Sequence, residues 1–348
     1  MDPKFFKKKK VLITGHTGFV GSWLTLWLHE LGAEITGISL DPPSNPYHYD
    51  FLNLKNKIND MRTDVNNAPR IKSIVNDFKP EIIFHLAAQP ILLRSYEDPV
   101  KTYATNITGT VNVLEALSKE GSAKAFVNIT SDKVYANVSK KVYYKEDSKL
   151  GGKDPYSSSK ACSEIITSSY RSSFLSDIGV ATARAGNILG GGDWGAYRIV
   201  PNLVVSYINK KTLYLRNPNS IRPWTNILDI LNGYLILAER LYRYPKKYSS
   251  PWNFSTDYVK KVIDLVNELR KYYPVDYKIK KIKMHEEKIL LLDSTKSRKE
   301  LGWKPLFRFE ESVEDTALWY KYFYANKGRN IYEYSKSQLA KFEREARG

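Results

Sequence analysis

Short apolar runs alternate with amphipathic stretches through the first half of the chain. Val11–Thr14, Glu34–Leu40, Glu81–Leu86, Ala125–Thr130 and Gly179–Arg184 are β-rich and read as strands. Between them, Ser22–Leu31, Arg70–Phe78, Val100–Lys119 and Ser157–Phe174 repeat apolar positions at helical spacing. Strand followed by helix at this spacing predicts an α/β fold, a doubly wound parallel sheet with crossover helices on both faces. Past about Gly186 the alternation fades into aromatic-rich loops and helices, with Trp194, Trp224 and Trp252, and a final amphipathic helix near Glu310–Asn326. A chain of 348 residues exceeds the roughly 250–300 that one core supports. We therefore expect a sheet domain over residues 1–185 and a smaller C-terminal lobe over 186–348, interleaved with the sheet.

Composition narrows the function classes. With 42% apolar and 26% charged residues, the chain is neither disordered nor a collagen-like or disulfide scaffold. Its one cysteine, Cys162, excludes an intrachain disulfide and a Cys-based zinc cluster and suits a reducing cytoplasm. The apolar runs are broken well before about 18 residues, so no membrane span is expected. Lys7–Lys10 ahead of Val11-Leu12-Ile13 imitates a signal peptide, but the apolar stretch stops at Thr14-Gly15-His16. Lys and Arg number 54 against 37 Asp and Glu, a net charge of +17 that could attract anions. The basic residues are scattered, with clusters only at Lys7–Lys10, Lys246-Lys247 and Lys278–Lys283, and no nucleic-acid motif accompanies them. A diphosphate-bearing small molecule is thus expected rather than nucleic acid. The histidines His16, His29, His48, His85 and His285 have no metal-ligand spacing, so no metal is expected.

Gly15-His16-Thr17-Gly18-Phe19-Val20-Gly21 has the form GxxGxxG, after a strand and opening a helix. Gly15 would permit the tight turn, Gly18 a close backbone approach to a pyrophosphate, and Gly21 contact between helix and sheet. The helix N-terminus favours the phosphate charge, so a dinucleotide is indicated, with Thr17, Phe19 and Val20 in the loop. The slot for a ribose-binding carboxylate falls at Ser39, with Asp41 two residues on. With no arginine nearby for a 2′-phosphate, the reading is NAD. Asp41 is equally readable as a turn residue before Pro42-Pro43. Asp64 and Val65, after a third strand region, and Leu86-Ala87-Ala88, after another strand, are further cofactor candidates.

Tyr156 and Lys160 stand four apart and project from one helical face. A tyrosine can act as a base only if its pKa, near 10, falls, and an adjacent ammonium would lower it. The hydroxyl of Ser131, at a strand end about 25 residues earlier, would lie beside the phenol.

These residues carry a resemblance. The glycine loop, His85-Leu86-Ala87-Ala88-Gln89-Pro90, Thr130-Ser131-Asp132-Lys133 and Asp154-Pro155-Tyr156 with Lys160 resemble the extended short-chain dehydrogenases/reductases. Leu150-Gly151-Gly152, Arg184-Ala185-Gly186-Asn187, Gly190-Gly191-Gly192-Asp193-Trp194, Arg216-Asn217-Pro218-Asn219 and Ile221-Arg222-Pro223-Trp224 narrow it to nucleotide-sugar 4,6-dehydratases of the CDP-glucose branch. The likeness runs from about Lys9 to Trp303.

The resemblance implies redox-neutral loss of water from a nucleotide hexose. Tyr156 would take the O4 proton, Asp132 would be the acid for the departing C6 hydroxyl, and Lys160 would hold the nicotinamide ribose. Where thymidine-linked relatives carry Glu as the C5 base, this chain has Lys133, either a base of depressed pKa or a charge that stabilises the enolate. Asn187, Arg198 and Arg222 fall in segments that bind the nucleoside diphosphate, and Gln89, Arg94 and Ser95 would line the sugar site. By residue chemistry alone each arginine could equally be solvated surface. His85 reads as a core histidine and Cys162 as packing. The helices Val100–Lys119 and Ser157–Phe174 match those that pair across a homodimer in this fold. Two alternatives are an epimerase or dehydratase for a dTDP-, UDP- or GDP-linked sugar, and a non-catalytic dinucleotide sensor.

Overall fold

Every strand of the central sheet runs parallel to its neighbours, as the alternating pattern requires. The computed structural model describes residues 1–42, 45–280 and 287–347; Pro43, residues 281–283 of the third basic cluster, and His285 lie outside the described residues. β1 (Lys10–Thr14) is followed by α1 (Phe19–Glu30), β2 (Glu34–Ser39), β3 (Asn59–Arg62), α2 (Ala68–Phe78) and β4 (Ile82–His85). Then come α3 (Gly109–Glu120), β5 (Ala125–Ile129), α4 (Pro155–Ser173) and β6 (Gly179–Ala185). The rest of the chain contributes β7 (Asn187–Leu189), β8 (Ile221–Asn226), α5 (Ile227–Arg243), β9 (Pro251–Phe254), β10 (Val259–Lys261), α6 (Phe309–Ala325) and α7 (Ile331–Arg347).

The seven-stranded sheet has the order β9-β6-β5-β4-β1-β2-β3. Alternate residues of β1 explain its two covered faces. Val11 and Ile13 enter the cluster formed with Trp23, Leu231 and Trp252, whereas Leu12 enters the one formed with Ile74, Val113 and Phe126. Each such buried aliphatic side chain contributes roughly 1.5–3 kcal/mol. Chain order reverses direction between β1 and β4, and the crevice beyond their carboxyl ends is the ligand position in such a sheet.

Three features depart from the sequence-based expectation. Val100–Lys119 is not one regular helix: Pro99–Tyr103 and α3 are joined by a π-helical turn, Ala104–Thr108. β9, beginning with Pro251 and only four residues long, pairs with β6 and returns the second half of the chain to the sheet. The C-terminal α7 braces α1, where Trp27 Nε1 donates to Glu343 Oε1 at 2.8 Å and its ring meets Phe342 edge-on at 5.6 Å.

Candidate active site

The glycine loop closes around the end of β1. Gly15 lies at φ +77°, the left-handed region that favours glycine, and a Cβ there would meet Ala87 N at 2.8 Å. A Cβ on Gly21 would lie 2.1 Å from Gly15 O, so any side chain would force α1 off the strand. Gly18 is the N-cap of α1, and no side chain caps that turn. The cradle therefore has the shape and the amide dipoles that a pyrophosphate needs. Thr17 Oγ1 and Ser39 Oγ are 2.7 Å apart, which ties the loop to the end of β2. Asp41 is 93% exposed at the side chain. The fold does bring an arginine here: Arg62, opposite Ser39 in register, lies 4.0 Å from the Asp41 carboxylate. Its place on a neighbouring strand, 21 residues from Asp41, hides it from a reading along the chain. Asp64 accepts from the amide of Asn66, and Val65 packs against Gly109. Leu86, Ala87 and Ala88 are half-buried beyond β4.

The catalytic candidates meet where β5 ends and α4 begins. Asp154 caps α4, accepting from Ser157 N at 2.8 Å, with Pro155 in the first turn, so Tyr156 and Lys160 sit on a rigid helical start. The Ser131 hydroxyl acts on the Tyr156 phenol and pulls its pKa down. Ser131 in turn donates to Asp132 Oδ1 at 3.0 Å, and its oxygen accepts from Lys133 N at 3.2 Å. Asp132 is buried, and its Oδ2 has no hydrogen-bond partner. Burial pushes its carboxyl above the ordinary range despite Lys133 and Arg222 nearby.

Lys160 does not do what the spacing suggests. Its Nζ donates to Ile129 O at 2.9 Å, and burial, opposed by Glu164, brings it down to about 8. Tyr156 is pushed up to about 12 by burial, with Ser131 and Arg198 pulling the other way. The expected depression of the phenol by Lys160 is not seen, because burial outweighs the groups that pull it down. An i, i+4 spacing fixes a shared face and leaves the tip of a long lysine free to choose its acceptor.

The arginines divide. Arg198 Nη1 pairs with Asp193 Oδ2 at 2.8 Å and lies near the phenol. Arg222 is buried, donates to the carbonyls of Ile221, Glu287 and Lys288, and acts on Asp132. Asn187 is half-buried at the start of β7, paired with Trp224. Gln89 is held by Asn106 and Thr102, Arg94 is exposed, and Ser95 is buried with its hydroxyl on Leu92 O. His85 is a satisfied core histidine, bonded at both nitrogens to Thr14 and Thr110 and brought to about 3 by burial.

Lys133 opens onto a cavity of about 320 Å³ that Asn137, Lys153, Ser157 and Glu287 also line. A larger one, about 530 Å³, is lined by Glu164, Arg171, Thr182 and Arg184 but by none of the catalytic candidates.

Two positioning residues escaped the sequence reading. Asn106 bridges Gln89 N and Ser159 Oγ, each at 2.8 Å. Glu164, one turn past Lys160, is ion-paired with buried Arg184 at 2.8 Å and accepts from Thr130 and Thr182, so it ties α4 to β5 and β6. Its spacing from Lys160 was the available signal. Among the described residues, no His, Cys, Asp and Glu cluster could hold a metal.

A family model described as GDP-mannose 4,6 dehydratase matches residues 12–316. CDP-glucose 4,6-dehydratase of Salmonella typhimurium is 40% identical, over 92% of this chain and 93% of that protein. Two solved structures share the fold. One is dTDP-glucose 4,6-dehydratase from Bacillus anthracis in complex with NAD, at TM-score 0.78 and 19% identity, covering 94% of this chain and 99% of that one. The other is UDP-glucose 4-epimerase from Thermotoga maritima with UDP-glucose, at TM-score 0.80 and 22% identity, covering 90% and 99%.

Proposed function

We propose, from the premise that this chain belongs to the nucleotide-sugar 4,6-dehydratase family, that it is a hydro-lyase converting CDP-D-glucose to CDP-4-keto-6-deoxy-D-glucose. One observation carries the reading: a buried Asp132, its carboxyl raised above the ordinary range, accepts from Ser131, whose hydroxyl acts in turn on the Tyr156 phenol. NAD, when bound, would supply the reversible hydride acceptor that an oxidation at sugar C4 followed by a reduction at C6 needs.

The chain's own residues handle the protons. Tyr156 takes the O4 proton, and Ser131 turns its hydroxyl from Asp132 to stabilise the resulting oxyanion. Lys160, brought to about 8, is poised to exchange its proton near physiological pH and to hold the nicotinamide ribose. The 4-ketone acidifies C5, which is why oxidation precedes elimination. Lys133, on the cavity wall, serves as the C5 base or as the counter-charge of the enolate. Asp132, whose carboxyl burial raises above the ordinary range, protonates the leaving C6 hydroxyl.

In this reading residues 1–185 hold NAD, with Gly15, Thr17, Gly18, Ser39 and Asp41 in contact with it. Residues 186–348 mainly hold the nucleotide sugar, with Asn187 and Arg198 at its diphosphate. Exposed Val100, Ile165 and Phe174, on the two helices expected at an interface, support a homodimer. A single cysteine and the need for NAD and nucleotide sugars support a cytoplasmic place in deoxysugar supply for surface polysaccharide; recovery in the envelope fraction of the source cells would contradict it.

Incubation with CDP-, dTDP-, UDP- and GDP-glucose, followed by mass spectrometry, tests the function. Loss of water from the CDP sugar is expected to be faster by about a hundredfold or more, because a buried site that bonds one base rejects the others. Faster dehydration of another nucleotide sinks the cytidine assignment, and a product that keeps its C6 hydroxyl sinks dehydration. The same preparation should elute at twice 40.0 kDa, and elution as a monomer would remove the dimer.

A further inference from the structure

The cavity of about 530 Å³ shares no lining residue with the one onto which Lys133 opens, and no step above uses it. One wall is α4 from Glu164 to Ser172, and the facing wall is the segment 146–150. Glu164 and Arg184 line it as a buried ion pair, each spent on the other. Arg171 stands seven residues on from Glu164, so the helix turns both to the same side. Its guanidinium is half-buried, and among the described residues it forms no ion pair; Nη2 donates to Ser168 Oγ at 2.9 Å. Burial holds Arg171 below the ordinary arginine value, opposed only by the Glu164 charge that Arg184 already engages. Among the described residues, the hydroxyls of Ser168 and Ser169 donate to no other group. Across from them stand Glu146, whose Oε1 accepts from Asn253 N at 2.9 Å, and the exposed Asp147.

A guanidinium fork with hydroxyls beside it offers more donors than the two oxygens of a carboxylate can take, and suits the three terminal oxygens of a phosphomonoester. The carboxylates opposite are acceptors for hydroxyl groups. The volume falls within the roughly 300–1,000 Å³ of small-molecule sites. We propose that this cavity binds a small phosphorylated sugar, its phosphate on Arg171 and Ser168 and its hydroxyls on Glu146 and Asp147. Such an occupant touches both elements that position the chemistry. Ala136 N donates to Lys149 O at 2.9 Å and Gly151 N to Val134 O at 2.8 Å, so the 146–150 wall is paired to the segment directly after Lys133. The opposite wall is the helix that carries Tyr156 and Lys160. Ile165, at the rim, also lies on the face proposed for the homodimer, whereas Arg171, six residues on, points about 120° round the helix from it. The site stands apart from the dehydratase reading and does not depend on it.

Calorimetric titration of the full-length protein, saturated with NAD and CDP, with glucose 6-phosphate tests it. One equivalent per chain is expected to bind, with inorganic phosphate weaker by about tenfold and glucose silent at about 1 mM. Arg171→Met should weaken binding by about tenfold or more, because charge-assisted hydrogen bonds are lost. Ser168→Asp, which places a carboxylate on the guanidinium, should weaken it as much, and it decides alone if Arg171→Met fails to melt cooperatively. Binding at full strength in either folded variant overturns the proposal, as does the absence of heat at about 1 mM glucose 6-phosphate. Glucose that binds as tightly as its phosphate removes the anion site. Binding that appears only when CDP is left out places the sugar phosphate in the catalytic cavity and overturns the proposal as well.

Discussion

Tyr156→Phe is expected to lower turnover of CDP-glucose by about a thousandfold or more while NAD affinity stays within about threefold, since a positioned proton-transfer group contributes 10²–10⁴. The substitution removes one oxygen and keeps the ring on the first turn of α4, where the Asp154 cap and Pro155 hold the backbone. What is lost is the oxygen whose pKa Ser131 pulls down. Because the lost step is the first, the variant should show no reduced nicotinamide on mixing with substrate. A Phe variant with unchanged turnover would remove Tyr156 from the chemistry.

Asp132→Asn is expected to cost about 10²–10³ in turnover by a different route. Oxidation at C4 survives, so reduced nicotinamide accumulates on the protein instead of cycling. Stability should move the opposite way from activity. Burial holds the folded-state pKa of Asp132 above its ordinary 3.8, so the folded protein binds more protons than the unfolded chain across that gap. The stability contributed by Asp132 is present below its unfolded pKa and is lost as pH rises through the folded one. At pH 7 the Asn variant should thus melt at or above the unaltered protein. A variant that loses activity only in step with its melting temperature would mark Asp132 as structural. In the same assay, Lys133→Met separates its two roles: C5 proton exchange with solvent at the normal rate excludes Lys133 as the base.

What the chain discloses, and what it conceals, follows from distance along it. The buried strands are legible because parallel strands covered on both faces are mostly apolar, as residues 82–84 and 179–181 are. β9 is not, because a four-residue edge strand containing Pro251 and Asn253 has neither length nor periodicity, and its place depends on β6. α7 is polar on average, and its docking on Trp27 of α1 and on Trp319 and Asp315 of α6 gives it a role. Within the site, residues adjacent in sequence are readable: the glycine loop, Ser131-Asp132-Lys133 and the Tyr156/Lys160 turn. Pairings that span the fold are not. Nothing along the chain says that Arg62 meets Asp41, that Arg198 spends one nitrogen on Asp193, or that Lys160 bonds Ile129 instead of the phenol. Those choices depend on burial and on which acceptors the neighbouring strands offer.

The central claim is that one captive hydride leaves C4 and returns to C6 of the same sugar. CDP-glucose carrying deuterium at C4 tests it most directly. The product should have lost one water and carry the deuterium at C6, with no reduced nicotinamide released into solution. Deuterium found in free reduced cofactor or in solvent, with none at C6, would contradict the account.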